Sequence, residues 1–154
     1  MSCPIESRLA ELGHVLPPPA TPAANYVPYV VVGKMLFISG QVPSKDGVFC
    51  FQGKVGDDMS LETAQEAAEL VALVILAQAK AALGSLSKIK RCVRLGGFVN
   101  ATPDFTAHPA VINGASNLMI SAFGESGRHA RAAVGTSGLP FGVAVEIEAT
   151  FEIE

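Results

Sequence analysis

Arg131 stands at the entry to a short apolar segment, Ala132-Ala133-Val134. Such small neighbours leave room for its guanidinium to lie in a cleft. There its planar fork of donors could grip a carboxylate through two parallel hydrogen bonds. An Arg at a strand entry is ordinarily solvated, and that reading stands beside the first. Glu146 lies on the polar side of an alternating segment near the end of the chain. Its place there makes it a candidate functional residue. Its acidic neighbours Glu148, Glu152 and Glu154 make a plain solvated strand face the competing reading. The third candidate is Ile38-Ser39-Gly40-Gln41. A strand ending in Ser-Gly offers a hydroxyl and an unobstructed backbone to a small polar ligand, although Ser-Gly is also ordinary turn chemistry.

Other chemistries find less support. His14, His108 and His129 are scattered, with no carboxylate at ligand spacing, so no metal site is expected. His129 reads as a loop residue. The three cysteines, Cys3, Cys50 and Cys92, are odd in number and match no metal motif. Cys50 and Cys92 fall in apolar, strand-like segments and read as small core residues. A reducing compartment fits them best, the cytoplasm or an organelle such as the mitochondrion. Glu6, Arg8 and Glu11 interrupt any leader-like apolar stretch, and the longest apolar run, Leu70 to Ala77, is too short to cross a bilayer. No membrane partner is expected. Nor is nucleic acid, because the net charge is −3 and phosphate contacts need Lys and Arg. The one basic cluster, Lys88, Lys90, Arg91 and Arg94, reads as a solvated strand face without stacking aromatics.

The candidate residues need a frame. The chain has 154 residues, the length of one domain. Hydrophobic residues make up 49% and charged residues 16%, against about 25% charged in typical soluble domains. An apolar surplus of this kind is relieved most simply by oligomerisation; a core rich in Ala and Gly is the alternative source. Pro4 to Leu12 reads as a short amphipathic helix ended by Gly13, and Pro17, Pro18, Pro19 and Pro22 force an extended arm. Tyr29–Val32 and Met35–Ile38 read as a hairpin turning at Gly33-Lys34, and Val48–Gln52 as a third strand. Ser60 can cap a long helix running to Leu83, with Glu62 in its first turn and Gly84 as the stop. Ile89–Val99 is a strand, Ala110–Phe123 a helix, Arg131–Val134 a short strand and Val143–Ile153 a cleanly alternating one. The order β-β-β-α-β-α-β-β makes a two-layer α+β domain, a mixed sheet with two helices on one face.

Several of these segments together resemble the Rid, or YjgF, family of reactive-intermediate deaminases. The resemblance runs from about Tyr26 to Phe151. Ala24-Asn25-Tyr26-Val27-Pro28-Tyr29 resembles the family's Gly-Pro-Tyr region, and Ser39-Gly40-Gln41-Val42-Pro43 its Ser-Gly-Gln-Ile-Pro strand. Asp104-Phe105 and Val111-Ile112-Asn113 are similar to its second-helix start. Ala130-Arg131-Ala132-Ala133-Val134 resembles its Ala-Arg-Ser-Cys-Val signature, and Leu139-Pro140 with Val145-Glu146-Ile147-Glu148-Ala149 its closing block. The resemblance implies a chorismate-mutase-like fold over residues 26–154, with residues 1–25 as an added helix and Pro-rich arm. It implies a homotrimer with sheets packed inward and ligand clefts between subunits. It also implies hydrolysis of small enamines and imines, such as 2-aminoacrylate, to 2-keto acids and ammonia, without a cofactor. The family's site residues fall on Tyr26, Ser39, Gly40, Asn113, Arg131 and Glu146. Arg131 would clamp the carboxylate of a small metabolite, Glu146 would activate water, and Tyr26, Ser39, Gly40 and Asn113 would shape the pocket. Ala132-Ala133 and Gly135-Thr136-Ser137-Gly138 depart from the deaminating branch, which marks a divergent one. The alternatives are a non-catalytic trimer that binds a carboxylate metabolite and, less favoured by the charge, a ribonuclease.

Overall fold

The computed structural model describes residues 3–22 and 24–154. Helix α1 (Pro4–Glu11) carries its proline in the first turn, where the missing N–H costs nothing. The proline-rich arm follows without helix or strand. Strands β1 (Tyr29–Val32) and β2 (Met35–Gln41) form the expected hairpin about Gly33. Helix α2 (Leu61–Leu83) begins where the Ser60 hydroxyl accepts the Thr63 N–H at 3.1 Å and ends at Gly84, whose φ of +83° suits a residue without Cβ. Strand β5 (Ile89–Asn100), helix α3 (His108–Phe123) and strand β6 (Ala130–Thr136) follow, and β7 (Val145–Ile153) closes the chain.

The main sheet has the order β1-β2-β7-β5-β6. Only β5 and β6 are parallel, joined through α3 as a crossover, so the sheet is mixed. Helices α2 and α3 pack on each other and on one face of that sheet. The fold is therefore the two-layer α+β arrangement that the pattern predicts. Strand β7 shows why: Val145, Ile147, Ala149, Phe151 and Ile153 are all buried beneath the helices, while the residues between them are not.

One element departs from expectation. The segment 48–52 is not a third strand of the main sheet. Val48–Phe49 (β4) pairs only with Ser44–Lys45 (β3) in a small separate hairpin. Strand β2 already has β1 on one side and β7 on the other, so neither edge is open to it. Cys50 consequently lies just outside a strand and is half-buried, whereas Cys92 is fully buried in β5. Burial pushes the Cys92 thiol up to about 12 despite the lowering influence of Arg91, and burial likewise raises that of Cys50.

Among the described residues, no layer covers the sheet face opposite the helices. Val30, Val32, Phe37 and Val134 stand 44–61% exposed there. Their pairing partners Met35, Thr150 and Phe98 share that face, as does Arg94, which pairs with Thr150. Glu146 and Glu148 rise from the same surface of β7.

Candidate functional site

Glu146 opens into a cavity of about 470 Å³ built from distant parts of the chain. Strand β2 supplies Gly40 and Gln41, the approach to β1 supplies Tyr26 and Pro28, and helix α2 supplies Gln78. The arm lays Ala20, Thr21 and Pro22 along one wall. Phe49 and Phe141 form another, their rings stacked 4.0 Å apart at 13°. Phe141 takes a positive φ of 60° that bulky residues avoid, and its carbonyl accepts from Gln52 Nε2 at 2.8 Å. The wall is thus held in place by the backbone as well as by packing.

Gly40 is a requirement of this arrangement. A Cβ at that position would lie 2.2 Å from Glu146 Oε2, so only glycine lets the carboxyl sit where it does. Burial raises the Glu146 carboxyl above the usual glutamate value, and the charge of Glu148 raises it further. Ser39 does not line the cavity. Its Oγ donates to the Val27 carbonyl at 2.7 Å, and the Ser39 N–H donates to the Pro28 carbonyl at 2.9 Å. Its effect on the site is to hold the Tyr26–Pro28 segment beside β2.

Arg131 and Asn113 lie elsewhere, in a shallower cleft of about 220 Å³ between α3 and β6, with Ser116 and His129. The guanidinium donates from Nη1 to Ser116 Oγ at 3.0 Å and from Nη2 to the Pro109 carbonyl at 3.2 Å. Both acceptors are neutral, and among the described residues no carboxylate pairs with Arg131. A partly buried cation without a counter-ion favours an anion from outside. Arg131 sits beside Leu95 in the sheet register, on the helix side, whereas Glu146 points from the open side. One chain therefore groups Tyr26, Gly40 and Glu146, with Ser39 behind them, and separately groups Asn113 with Arg131. It does not bring the two groups together.

Several residues of these sites escaped the sequence reading. Gln78 is 2% exposed and donates from Nε2 to the Ala20 carbonyl at 2.6 Å, with Gln41 Oε1 at 3.4 Å. It pins the arm against the pocket. Its signal was a carboxamide in an otherwise apolar stretch of helix. His129 lies in a loop, as expected, but its ring is hydrogen-bonded on both nitrogens and shares the Arg131 cleft. Phe49, Phe141 and Thr21 carried no signal short of the fold. Among the described residues, no group of three His, Cys, Asp or Glu could hold a metal ion, and no helix is long and apolar enough to cross a membrane.

Residues 6–147 match the family model described as "YjgF/chorismate_mutase-like, putative endoribonuclease". The chain belongs to this family. Within it, this YjgF-family chain is 47% identical over 150 residues to Protein TCP17 of Trypanosoma cruzi, covering 97% of this chain and 94% of that one. It is 53% identical to the crystal structure of Atu1372, a protein of unknown function from Agrobacterium tumefaciens, with a TM-score of 0.92 over 97% of this chain and 92% of the other. RidA from the Antarctic bacterium Psychrobacter sp. PAMC 21119 is more distant, at 26% identity and a TM-score of 0.61 over 91% and 97% of the two chains. The fold is common to both structures, and the drop from 0.92 to 0.61 sets this chain in a branch divergent from RidA.

Proposed function

We propose that this YjgF-family chain hydrolyses small enamines and imines of the 2-aminoacrylate kind to 2-keto acids and ammonia, in clefts between the subunits of a homotrimer. The observation that carries the reading is the pair of complementary half-sites. One offers a guanidinium that no carboxylate pairs among the described residues. The other offers a carboxyl desolvated beside Gly40 in an apolar cavity. They point from opposite faces of one sheet, so a ligand that uses both needs two subunits, Arg131 and Asn113 from one and Tyr26, Gly40 and Glu146 from the next. The uncovered sheet face with Val30, Val32, Phe37 and Val134 is the surface available for that association.

The chemistry then follows from the groups. Arg131 takes the substrate carboxylate through two parallel hydrogen bonds and orients the imine carbon. Glu146 accepts a proton from a water molecule as the water oxygen bonds to that carbon, and returns this proton to the nitrogen as the C=N π pair becomes an N–H bond. The carboxylate so regenerated takes the hydroxyl proton of the carbinolamine and passes it to the nitrogen, so the C–N bond breaks, ammonia leaves and the C=O bond forms. A carboxyl raised toward neutrality is suited to give the proton back as well as take it. The RidA relative, though distant, is consistent with this reading.

Spectroscopic decay of an enzymatically generated 2-imino acid, measured with wild type and Arg131→Ala and combined with light scattering, tests it. Accelerated decay that is lost in the variant, from a particle of trimer mass, supports the proposal. A monomer at micromolar protein removes the shared site, and tight 2-keto acid binding without turnover replaces the enzyme with a metabolite binder.

A further inference from the structure

Ser116 is one of few buried polar side chains, 7% exposed on the inner side of α3. Its Oγ accepts from Arg131 Nη1 at 3.0 Å and lies 2.8 Å from His129 Nε2. The other imidazole nitrogen, Nδ1, lies 2.6 Å from the Gly127 carbonyl. A carbonyl can only accept, so Nδ1 carries a proton. In the neutral ring Nε2 is then a lone pair, and it accepts the Ser116 hydroxyl proton. The donors therefore run in one direction: guanidinium to hydroxyl, hydroxyl to Nε2, and separately Nδ1–H to the backbone. Ser116 can present a lone pair squarely to Arg131 because its own proton has somewhere to go.

We propose that Ser116 and neutral His129 are positioning residues that hold the Arg131 guanidinium ready for a carboxylate, and that protonation of His129 loosens this hold. The inference rests on the reading above, in which Arg131 receives the substrate carboxylate. Protonated His129 has a hydrogen on Nε2 and no longer accepts. The serine proton loses its partner, two donors converge on one oxygen, and a second positive charge stands one hydroxyl away from the guanidinium. The charged groups around the ring give no relief. Arg131 and Arg128 flank it on the chain, and Arg128 is paired with Glu125 at 3.1 Å. Arg91, from β5, reaches in to donate to the Arg128 carbonyl at 2.7 Å. Helix α3 contributes only the neutral Asn113, Ser116, Asn117 and Ile120. Desolvation, and then the charge of Arg131, hold the ring below the ordinary histidine value, while its bond to Gly127 opposes them. The hold is thus intact at neutral pH and fails only in acid.

Calorimetric titration of the full chain with pyruvate from about pH 5 to pH 8 tests this, because the pyruvate carboxylate stays ionised throughout. Wild type should bind with a Kd that is flat near neutrality and rises at least about threefold at the acid end, and the KM for imine hydrolysis should follow it independently of kcat. His129→Gln keeps an acceptor for Ser116 and does not titrate. It should lose the acid rise, its Kd at the acid end matching its own Kd at neutral pH. Ser116→Ala should weaken binding by about tenfold at every pH, and Ser116→Thr, which restores the hydroxyl, should recover most of it. An unchanged acid rise in His129→Gln overturns the proposal, as does wild-type affinity in Ser116→Ala. Should the alanine variant fail to fold, the His129→Gln profile decides alone. Arg131→Ala separates the two readings. Lost binding there with unaltered Ser116→Ala defeats only the positioning role, whereas unaltered binding in Arg131→Ala defeats the carboxylate clamp itself.

Discussion

The Glu146 cavity and the Arg131 cleft are built on opposite principles. Glu146 is surrounded by pieces brought from across the chain: the arm, β2, α2, β7 and the Phe49–Phe141 stack. These are mostly apolar, and they raise the carboxyl by excluding water. Arg131 is held by neutral oxygens and a histidine, all contributed by α3 and the segment that joins it to β6. One region raises a glutamate carboxyl above its ordinary value; the other holds a cation that no carboxylate pairs among the described residues. The separation matters within one chain, because a guanidinium beside Glu146 would pull its carboxyl back down. Within one chain the sheet keeps the carboxyl and the guanidinium on opposite faces, and in the proposed trimer they meet only across a subunit boundary.

The largest effect expected from breaking this comparison belongs to Glu146. Glu146→Gln keeps the shape and removes the proton carrier. Turnover of a 2-imino acid should fall by roughly 10²–10⁴ while pyruvate binding stays nearly unchanged. The same variant should be no less stable at pH 7. A raised folded pKa means that the ionised carboxylate disfavours the fold above that value and has no such effect below the unfolded one. Chemical denaturation beside the kinetic assay checks both halves, and equal loss of binding and turnover would contradict the division of labour.

Gly40→Ala is next. Its Cβ would stand 2.2 Å from Glu146 Oε2, so the carboxyl must move. A misplaced base should lower kcat by about tenfold to a hundredfold with little change in pyruvate affinity. Arg131→Ala should do the reverse. Loss of the charge-assisted fork should weaken pyruvate binding by at least about tenfold, and Arg131→Lys should recover only part of it. Titrations of the two variants side by side make the comparison sharp: one moves kcat and the other moves Kd.

Local pattern made the scaffold legible. The alternation from Val145 to Ile153 and the Ser60 and Gly84 ends of α2 depend on neighbours within a few residues, and the structure follows them. The candidates Arg131 and Glu146 stand out through their surrounding motifs, since composition alone leaves Glu146 as one of several acidic strand residues. What stayed hidden depends on tertiary adjacency. The strand expected at 48–52 is shorter, Val48–Phe49, and it pairs with Ser44–Lys45 outside the main sheet, a tertiary outcome that local pattern does not carry. His129 looked idle because its partner Ser116 lies on another element. The arm looked like an appendage because Gln78, which pins it, is remote in the chain.

Gln78 gives the smallest and most discriminating effect. Gln78→Leu keeps most of the volume but leaves the Ala20 carbonyl without its 2.6 Å donor. The arm should then sit less firmly, at a cost of roughly 1–3 kcal/mol for the unsatisfied carbonyl, visible as a Tm lowered by several degrees. Water admitted to the Glu146 cavity should partly undo the desolvation that raises the carboxyl. In the enzyme Glu146 must be ionised to accept a proton, so kcat falls as pH drops through its raised pKa. In Gln78→Leu that acid limb should move to lower pH, toward the ordinary glutamate value. The acid weakening of pyruvate binding, which belongs to His129 on the other face of the sheet, should stay where it is. Measured pH profiles of kcat and of Kd for the variant therefore report on the two regions separately. If both limbs shift together the regions are not independent, and if neither shifts the arm does not keep water from the carboxyl.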